Sequence, residues 1–269
     1  MRAIDIIDRC SNEIPKKEAE EIMLSVLNFK CRSDLYMADL EDFSLGEMDY
    51  FIAQRKRGIP LQYLTSNVNF YGFNFKVEEG LFIPRPETEI IVDYLAKEYS
   101  GHKNLKILEV GTGTGVIAIC LTKLLSDCRI VATDISPNAI RIASENAVLN
   151  GSRSSILFVN GNSVEVIRKE GFFDLLVSNP PYIALSQEGS LSPEVRREPR
   201  EALFGGEEGY EFTLQLIASS AAVVKKGGRM VIEIDPEHRS VYENRLSEVK
   251  KIDFIEDLEH KDRVMVISF

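Results

Sequence analysis

The chain has 269 residues, 44% of them hydrophobic and 28% charged, which allows one large domain or a medium domain with a small companion. A formal net charge of −10 opposes sequence-independent binding to a phosphate backbone. There is no apolar run of about 18 residues, so no membrane span is expected, and the acids within residues 1–9 do not suit a secretory or transit leader.

The opening residues read as helical. Pro15 suits a first helical position, and Ala19, Ile22, Met23, Val26 and Leu27 follow the spacing of one buried helix face. A further helix is expected from about Gly46 to just before Gly58, bringing Met48, Phe51 and Ile52 together. Its Arg55-Lys56-Arg57 tail would complement the negative end of the helix dipole, or meet an acidic partner. Past Pro60, Val68, Phe70, Phe73, Phe75 and Val77 alternate around Tyr71-Gly72, which predicts a β-hairpin. We take residues 1–64 as a helical substrate-recognition domain, 65–80 as a hairpin linker and 81–269 as the main domain. The prolines of 83–89 break the pattern, and a helix with Ile90, Ile91, Tyr94 and Leu95 inward should follow.

From residue 105 strands and helices alternate, with strands expected over 106–110, 129–133, 156–159, 173–177 and 230–234. Ser136-Pro137 reads as a helix cap followed by a first-turn proline. Such alternation implies an α/β, doubly wound, mostly parallel sheet. Strands over 254–258 and 263–268 are joined too closely for a crossover and should pair antiparallel at the sheet edge, making seven strands. Cys10, Cys31, Cys120 and Cys128 form no C-x-x-C pair, and His102, His238 and His260 are scattered, so free thiols, no metal and a cytoplasmic setting are expected.

The first of these strands runs into Glu109-Val110-Gly111-Thr112-Gly113-Thr114-Gly115 and then directly into a helix. Glycines allow the sharp turn, and free N–H groups at the helix start would favour electronegative ligand atoms. The dinucleotide fingerprint would need a glycine where Val116 stands, so a nucleoside carrying an amino acid suits the loop better than a pyrophosphate. Asp134, ending the next strand, can accept hydrogen bonds from ribose hydroxyls, and the turn at Asn162 and Ser163 can read an adenine edge. The fourth strand leads into Asn179-Pro180-Pro181-Tyr182. The Asn179 side-chain carbonyl and the Pro180 carbonyl are two acceptors held rigidly by consecutive prolines, suited to the two N–H donors of an NH₂ group on a planar carbon. Tyr182 can stack on that planar group or face a cation.

These residues, with Pro60-Leu61-Gln62-Tyr63-Leu64, Phe82-Ile83-Pro84-Arg85-Pro86-Glu87-Thr88-Glu89, Glu198-Pro199-Arg200-Glu201-Ala202-Leu203-Phe204-Gly205-Gly206 and Asp262-Arg263-Val264, resemble the peptide chain release factor glutamine methyltransferases. The resemblance runs from about residue 60 to the end. It implies a Rossmann-like class I methyltransferase that moves a methyl group from S-adenosylmethionine to the glutamine of the Gly-Gly-Gln motif in release factors, leaving S-adenosylhomocysteine. It further implies cofactor contacts from Glu109, Gly111, Thr112, Gly113, Thr114, Gly115, Asp134, Asn162, Ser163 and Asn179. Asn179, Pro180 and Tyr182 would be catalytic, and Asn179 through Tyr182, with Arg85 and Glu87, would hold the substrate. Arg85 and Arg200 read equally well as ion-pair partners of nearby acids, and Glu233 and Asp235 as ordinary exposed acids at a strand end. The chain departs from the family pattern at Asn162, where an acid is common, and at Asp235, where glycine is.

The rival substrates are a ribosomal-protein glutamine and the exocyclic amine of adenine in DNA or RNA, since each presents NH₂ on a planar carbon. The acidic balance favours protein over nucleic acid. A non-catalytic cofactor sensor would have little need of Asn179 and its prolines. Nothing in the sequence demands more than a monomer.

Overall fold

The computed structural model describes residues 2–29, 31–40, 43, 45–167, 170–246 and 251–269. It divides into two compact units. The smaller comprises Met1–Asn67, Val77–Glu79 and Leu191–Arg197; the larger comprises Val68–Lys76, Gly80–Ser190 and Glu198–Phe269.

The smaller unit is built on helices α1 (Ala3–Cys10), α2 (Lys16–Val26), α3 (Arg32–Met37), α4 (Leu45–Lys56) and α5 (Leu61–Thr65). Ile6, Ile7, Ala19, Ile22, Met23 and Met48 fill its core, while Val26 and Leu27 are only partly covered. Pro15 lies one residue ahead of α2 in an extended conformation, not at the first helical position. Glu20 is buried, and tolerates it by accepting from Tyr36 Oη at 2.9 Å and pairing with Arg32 at 3.2 Å. The basic tail of α4 is held by acids of its own unit: Arg55 reaches Glu18 at 2.7 Å and Glu194 at 2.8 Å, and Lys56 reaches Glu13 at 2.9 Å.

In the larger unit the expected hairpin forms from β1 (Asn67–Phe70) and β2 (Phe73–Lys76). Phe70 and Phe75 meet edge to face at 6.2 Å and join the main core, so the hairpin packs as part of the larger unit. Helix α6 (Glu89–Glu98) follows, burying Ile91, Val92 and Leu95. Alternation then produces β3 (Leu105–Val110), α7 (Val116–Leu124), β4 (Cys128–Asp134), α8 (Pro137–Leu149), β5 (Ile156–Asn160) and β6 (Phe173–Ser178). Ser136 caps α8 by accepting from Ala139 N at 3.3 Å, with Pro137 in the first turn. Two short strands, β7 (Ile183–Ala184) and β8 (Phe204–Gly206), pair in parallel, with α9 (Arg200–Leu203) between them. The chain closes with α10 (Glu211–Ser220), β9 (Val224–Glu233), α11 (Arg239–Leu246), β10 (Ile252–Glu256) and β11 (Asp262–Ser268).

Seven strands make one sheet in the order β10-β11-β9-β6-β3-β4-β5. The segment from β3 to β9 is parallel, and β11 pairs antiparallel with both β9 and β10 at the edge, as the short final connection requires. From β3 the chain moves one way to β4 and β5, then returns to the other side for β6. That reversal opens a crevice beyond the carboxyl ends of β3 and β6, where open α/β sheets bind ligands. All four thiols are free, and burial pushes Cys120 up to about 12 and Cys128 up to about 11, so neither is a ready nucleophile. Among the described residues no cluster of metal-ligating side chains is present, and no helix is long and apolar enough to cross a membrane.

Candidate active site

A cavity of about 640 Å³ lies in the larger unit, beyond the carboxyl ends of the parallel strands. Every residue assigned to the site from sequence lines it except Gly115, Tyr182, Arg85 and Glu87. Strand β3 delivers Glu109 and the glycine loop, β4 delivers Asp134, the turn after β5 delivers Asn162 and Ser163, and β6 delivers Asn179 through Pro181.

The loop uses glycine in two different ways. Gly111 and Gly113 have φ of 71° and 54°, and a β-carbon on either would meet no protein atom within 4 Å, so the space above them is open to a ligand. At Gly115, φ is 86°, and a β-carbon would come within 3.1 Å of Ala143 Cβ, so this glycine serves the packing of α7 on α8. Ahead of the helix start, the loop turns most of its own N–H groups inward. Gly111 N and Thr112 N both donate to Thr133 O at 2.9 Å, Gly113 N donates to Asp134 Oδ2 at 2.8 Å, and Gly115 N donates to Thr112 O at 2.8 Å. A tight turn spends its own donors to hold its shape. Asn146, fully buried on α8, steadies the same loop by donating to Thr114 O at 2.9 Å while exchanging bonds with the Lys76 backbone at 2.7 and 2.9 Å.

Two acids of the cavity are perturbed upward. Glu109 is 1% exposed, and burial lifts its carboxyl to about 8 against the pull of the Thr112 hydroxyl, which donates to it at 2.6 Å. Asp134 is also raised, by burial first, with the Ser136 and Gly113 N–H groups opposing. Each Asp134 oxygen accepts one backbone N–H, at 2.9 and 2.8 Å, and keeps a second lone pair. Beside it Ile135 is 62% exposed and forms part of the cavity wall, an apolar surface suited to a planar ring.

Around Asn179 the structure reveals partners that no sequence spacing indicates. Asn179 Nδ2 donates to Thr88 Oγ1 at 2.8 Å, and Thr88 Oγ1 donates to Glu233 Oε2 at 2.7 Å. Tyr182 Oη donates to Glu233 Oε1 at 3.3 Å. Glu233 is therefore not an exposed acid: it is 1% accessible, and burial lifts it to about 7. Burial, then Glu233, raises Tyr182 as well. Asp235 accepts from Glu237 N at 2.9 Å, capping a turn outside the cavity wall. Arg85 pairs with the buried Glu198 and lies over the Phe82 ring at 5.1 Å, and Arg200 pairs with Glu188, so both arginines act as ion-pair partners here. Glu198 also accepts from Ile83 N at 2.9 Å. Glu87 is exposed.

The Asn-Pro-Pro-Tyr segment is braced by Gly205 of β8. A β-carbon on Gly205 would fall 2.1 Å from Gly209 O and 2.5 Å from Pro181 O, so only glycine permits this approach. The cavity thus combines an open backbone cradle, a carboxylate with spare lone pairs and a carboxamide whose NH₂ is already bound.

Comparison with known proteins agrees with this architecture. The family described as methyltransferase small domain matches residues 86–207. A release factor glutamine methyltransferase of Chlorobaculum tepidum is 34% identical over 262 residues, covering 93% of this chain and 88% of its own. One of Clostridium acetobutylicum is 31% identical over 273 residues, covering 99% and 95%. Among solved structures, a ribosomal protein L11 methylase from Lactobacillus delbrueckii subsp. bulgaricus is 25% identical with a TM-score of 0.51, covering 71% of this chain and 83% of that one. Identity above 30% along nearly the whole length of such relatives places this chain in the release factor glutamine methyltransferase family.

Proposed function

We propose that this protein transfers a methyl group from S-adenosylmethionine to the side-chain amide nitrogen of the glutamine in the Gly-Gly-Gln motif of peptide chain release factors, in support of translation termination. The observation that carries the proposal is the Asn179 carboxamide on the wall of the cavity, with Nδ2 engaged by Thr88 at 2.8 Å and Oδ1 left as its acceptor. Family membership does not favour the ribosomal-protein or adenine-amine alternatives.

The cavity residues fit the cofactor. Gly111 and Gly113 leave room for it, Asp134 offers lone pairs to ribose hydroxyls, Ile135 offers its face to the purine, and Asn162 and Ser163 lie where its edge could be read. When bound, S-adenosylmethionine supplies a methyl group on positively charged sulfur and is left as neutral S-adenosylhomocysteine, while the amide nitrogen gives up one proton to solvent. Asn179 Oδ1 and the Pro180 carbonyl would accept the two amide N–H bonds, fixing the plane of the group and stabilising the positive charge that builds on nitrogen. Tyr182 would pack against the same group, with its hydroxyl anchored on Glu233. Pro181, Arg85 and Glu87 complete the proposed substrate side. The helical unit would select the protein partner. A monomer and a cytoplasmic setting, where a translation substrate is found, belong to this reading.

The test is transfer of labelled methyl from S-adenosylmethionine to a purified release factor and to a variant lacking the Gly-Gly-Gln glutamine. Label on the first and none on the second is the expected result. Equal labelling of both would place the reaction on another group, and no labelling of either by cofactor-binding enzyme would remove release factors as the substrate.

A further inference from the structure

A buried carboxyl group is costly unless both its oxygens are paired, and Glu233 at the end of β9 meets that condition through two hydroxyls, Thr88 at 2.7 Å and Tyr182 at 3.3 Å. A hydroxyl carries one proton. With Glu233 ionised and the Thr88 proton directed at it, Thr88 Oγ1 is left as an acceptor, and it accepts from Asn179 Nδ2 at 2.8 Å. The carboxamide is thereby oriented in one sense, NH₂ toward Thr88 and Oδ1 away from it. A reversed carboxamide would set Oδ1 against an oxygen with no proton to offer. Resting on the reading above, we propose that Thr88 and Glu233 are positioning residues that lock Asn179 with its acceptor toward the substrate, so that the site takes a carboxamide and refuses a carboxylate.

The chemistry of refusal is simple. A glutamate side chain brings acceptors and no N–H, and would meet the oxygens of Asn179 and Pro180. An Asn179 free to turn would present NH₂ instead and welcome it. Discrimination between glutamine and glutamate then depends on two residues, 145 positions apart, that need not touch the substrate.

Thr88→Val keeps the shape of the side chain and removes its hydroxyl, whereas Thr88→Ser keeps the hydroxyl. With methyl transfer to a release factor as the assay, Thr88→Val should lower kcat about 100-fold, and its affinity for S-adenosylhomocysteine should stay within about 3-fold of the parent. Thr88→Ser should recover most of the loss. A factor carrying glutamate in place of the target glutamine should compete about 10-fold better against Thr88→Val than against the parent protein. A second measurement needs no substrate: exchange of the Asn179 side-chain amide protons with water, followed by nuclear magnetic resonance. It should be about 10-fold faster in Thr88→Val than in the parent or Thr88→Ser. Parental kcat in Thr88→Val, or equal exchange in all three proteins, overturns the proposal. If the parent moves no methyl to the factor, the substrate reading falls by itself, and the exchange rates still decide for or against the network.

Discussion

Asn179 and Asp134 line one cavity and are proposed to have different duties there, which substitution should separate. Asn179→Ala removes an acceptor needed only as charge develops on nitrogen, so turnover should fall by about 1,000-fold while calorimetric affinity for S-adenosylhomocysteine stays nearly unchanged. Asp134→Ala should do the reverse, weakening that affinity by about 10-fold or more through the lost ribose contact. Unchanged turnover in the first, or unchanged affinity in the second, would remove the corresponding role. Glu109 makes a different prediction. Burial holds its carboxyl at about 8 in the folded chain, above the ordinary 4.5, so the folded state binds more protons than the unfolded one between those values. Stability of the ligand-free protein should therefore fall as pH rises through that window, on the order of a few kcal/mol in all. Glu233, raised to about 7, acts in the same direction. Thermal unfolding of Glu109→Gln should fall less steeply over this range than that of the parent; parallel slopes would mean that Glu109 is not the cause. Asp134 and Asn179 were legible in the sequence because each ends a strand at a recognisable motif. Thr88 and Glu233 were not, because a hydroxyl in a proline-rich turn and an acid after a strand carry no local signal of each other.

Among the elements, the short pairing of β7 with β8 directly follows the Asn-Pro-Pro-Tyr segment and sets Gly205 against the Pro181 carbonyl. Gly205→Ala should push its new methyl group into the carbonyls of Gly209 and Pro181, 2.1 and 2.5 Å away, and the backbone would have to move. The expected cost is about 1–3 kcal/mol of stability, with methyl transfer lost more completely than cofactor binding. If transfer and binding fell together, β8 would be supporting the whole cavity and not this segment alone. Long elements were readable: every parallel strand showed its apolar run, and the hairpin its alternation. Strand β9 began well before the expected start because Lys225-Lys226-Gly227-Gly228 reads as a turn, and its glycines lie in an irregular stretch paired beside Asp174. Strands of two or three residues such as β7 and β8 have no period to read, and α3 and α5 are too short to show a repeating face.

At the scale of the molecule, the helical unit shows large apolar side chains to solvent, Met37 at 87% and Tyr50 at 58% exposure, and these are the residues through which the proposed recognition of a protein partner can be tested. Replacing both with serine should raise KM for the release factor about 10-fold, leaving kcat and S-adenosylhomocysteine affinity as they were. An unchanged KM would move partner recognition to another surface. The larger unit shows where sequence reading reaches its limit. Alternating strands and helices, a glycine loop with no third dinucleotide glycine, and a rigid pair of acceptors after the fourth strand are local patterns. The α/β class and most of the residues that line the cavity could therefore be read from the chain alone, because backbone conformation and hydrogen-bonding capacity belong to each residue type. The strand order, the inward use of the loop's N–H groups and the chain of hydroxyls from Glu233 to Asn179 were decided only by the tertiary structure. Those features depend on which distant residues the sheet brings within about 3 Å, and that distance is a property of packing, on which one-dimensional spacing is silent.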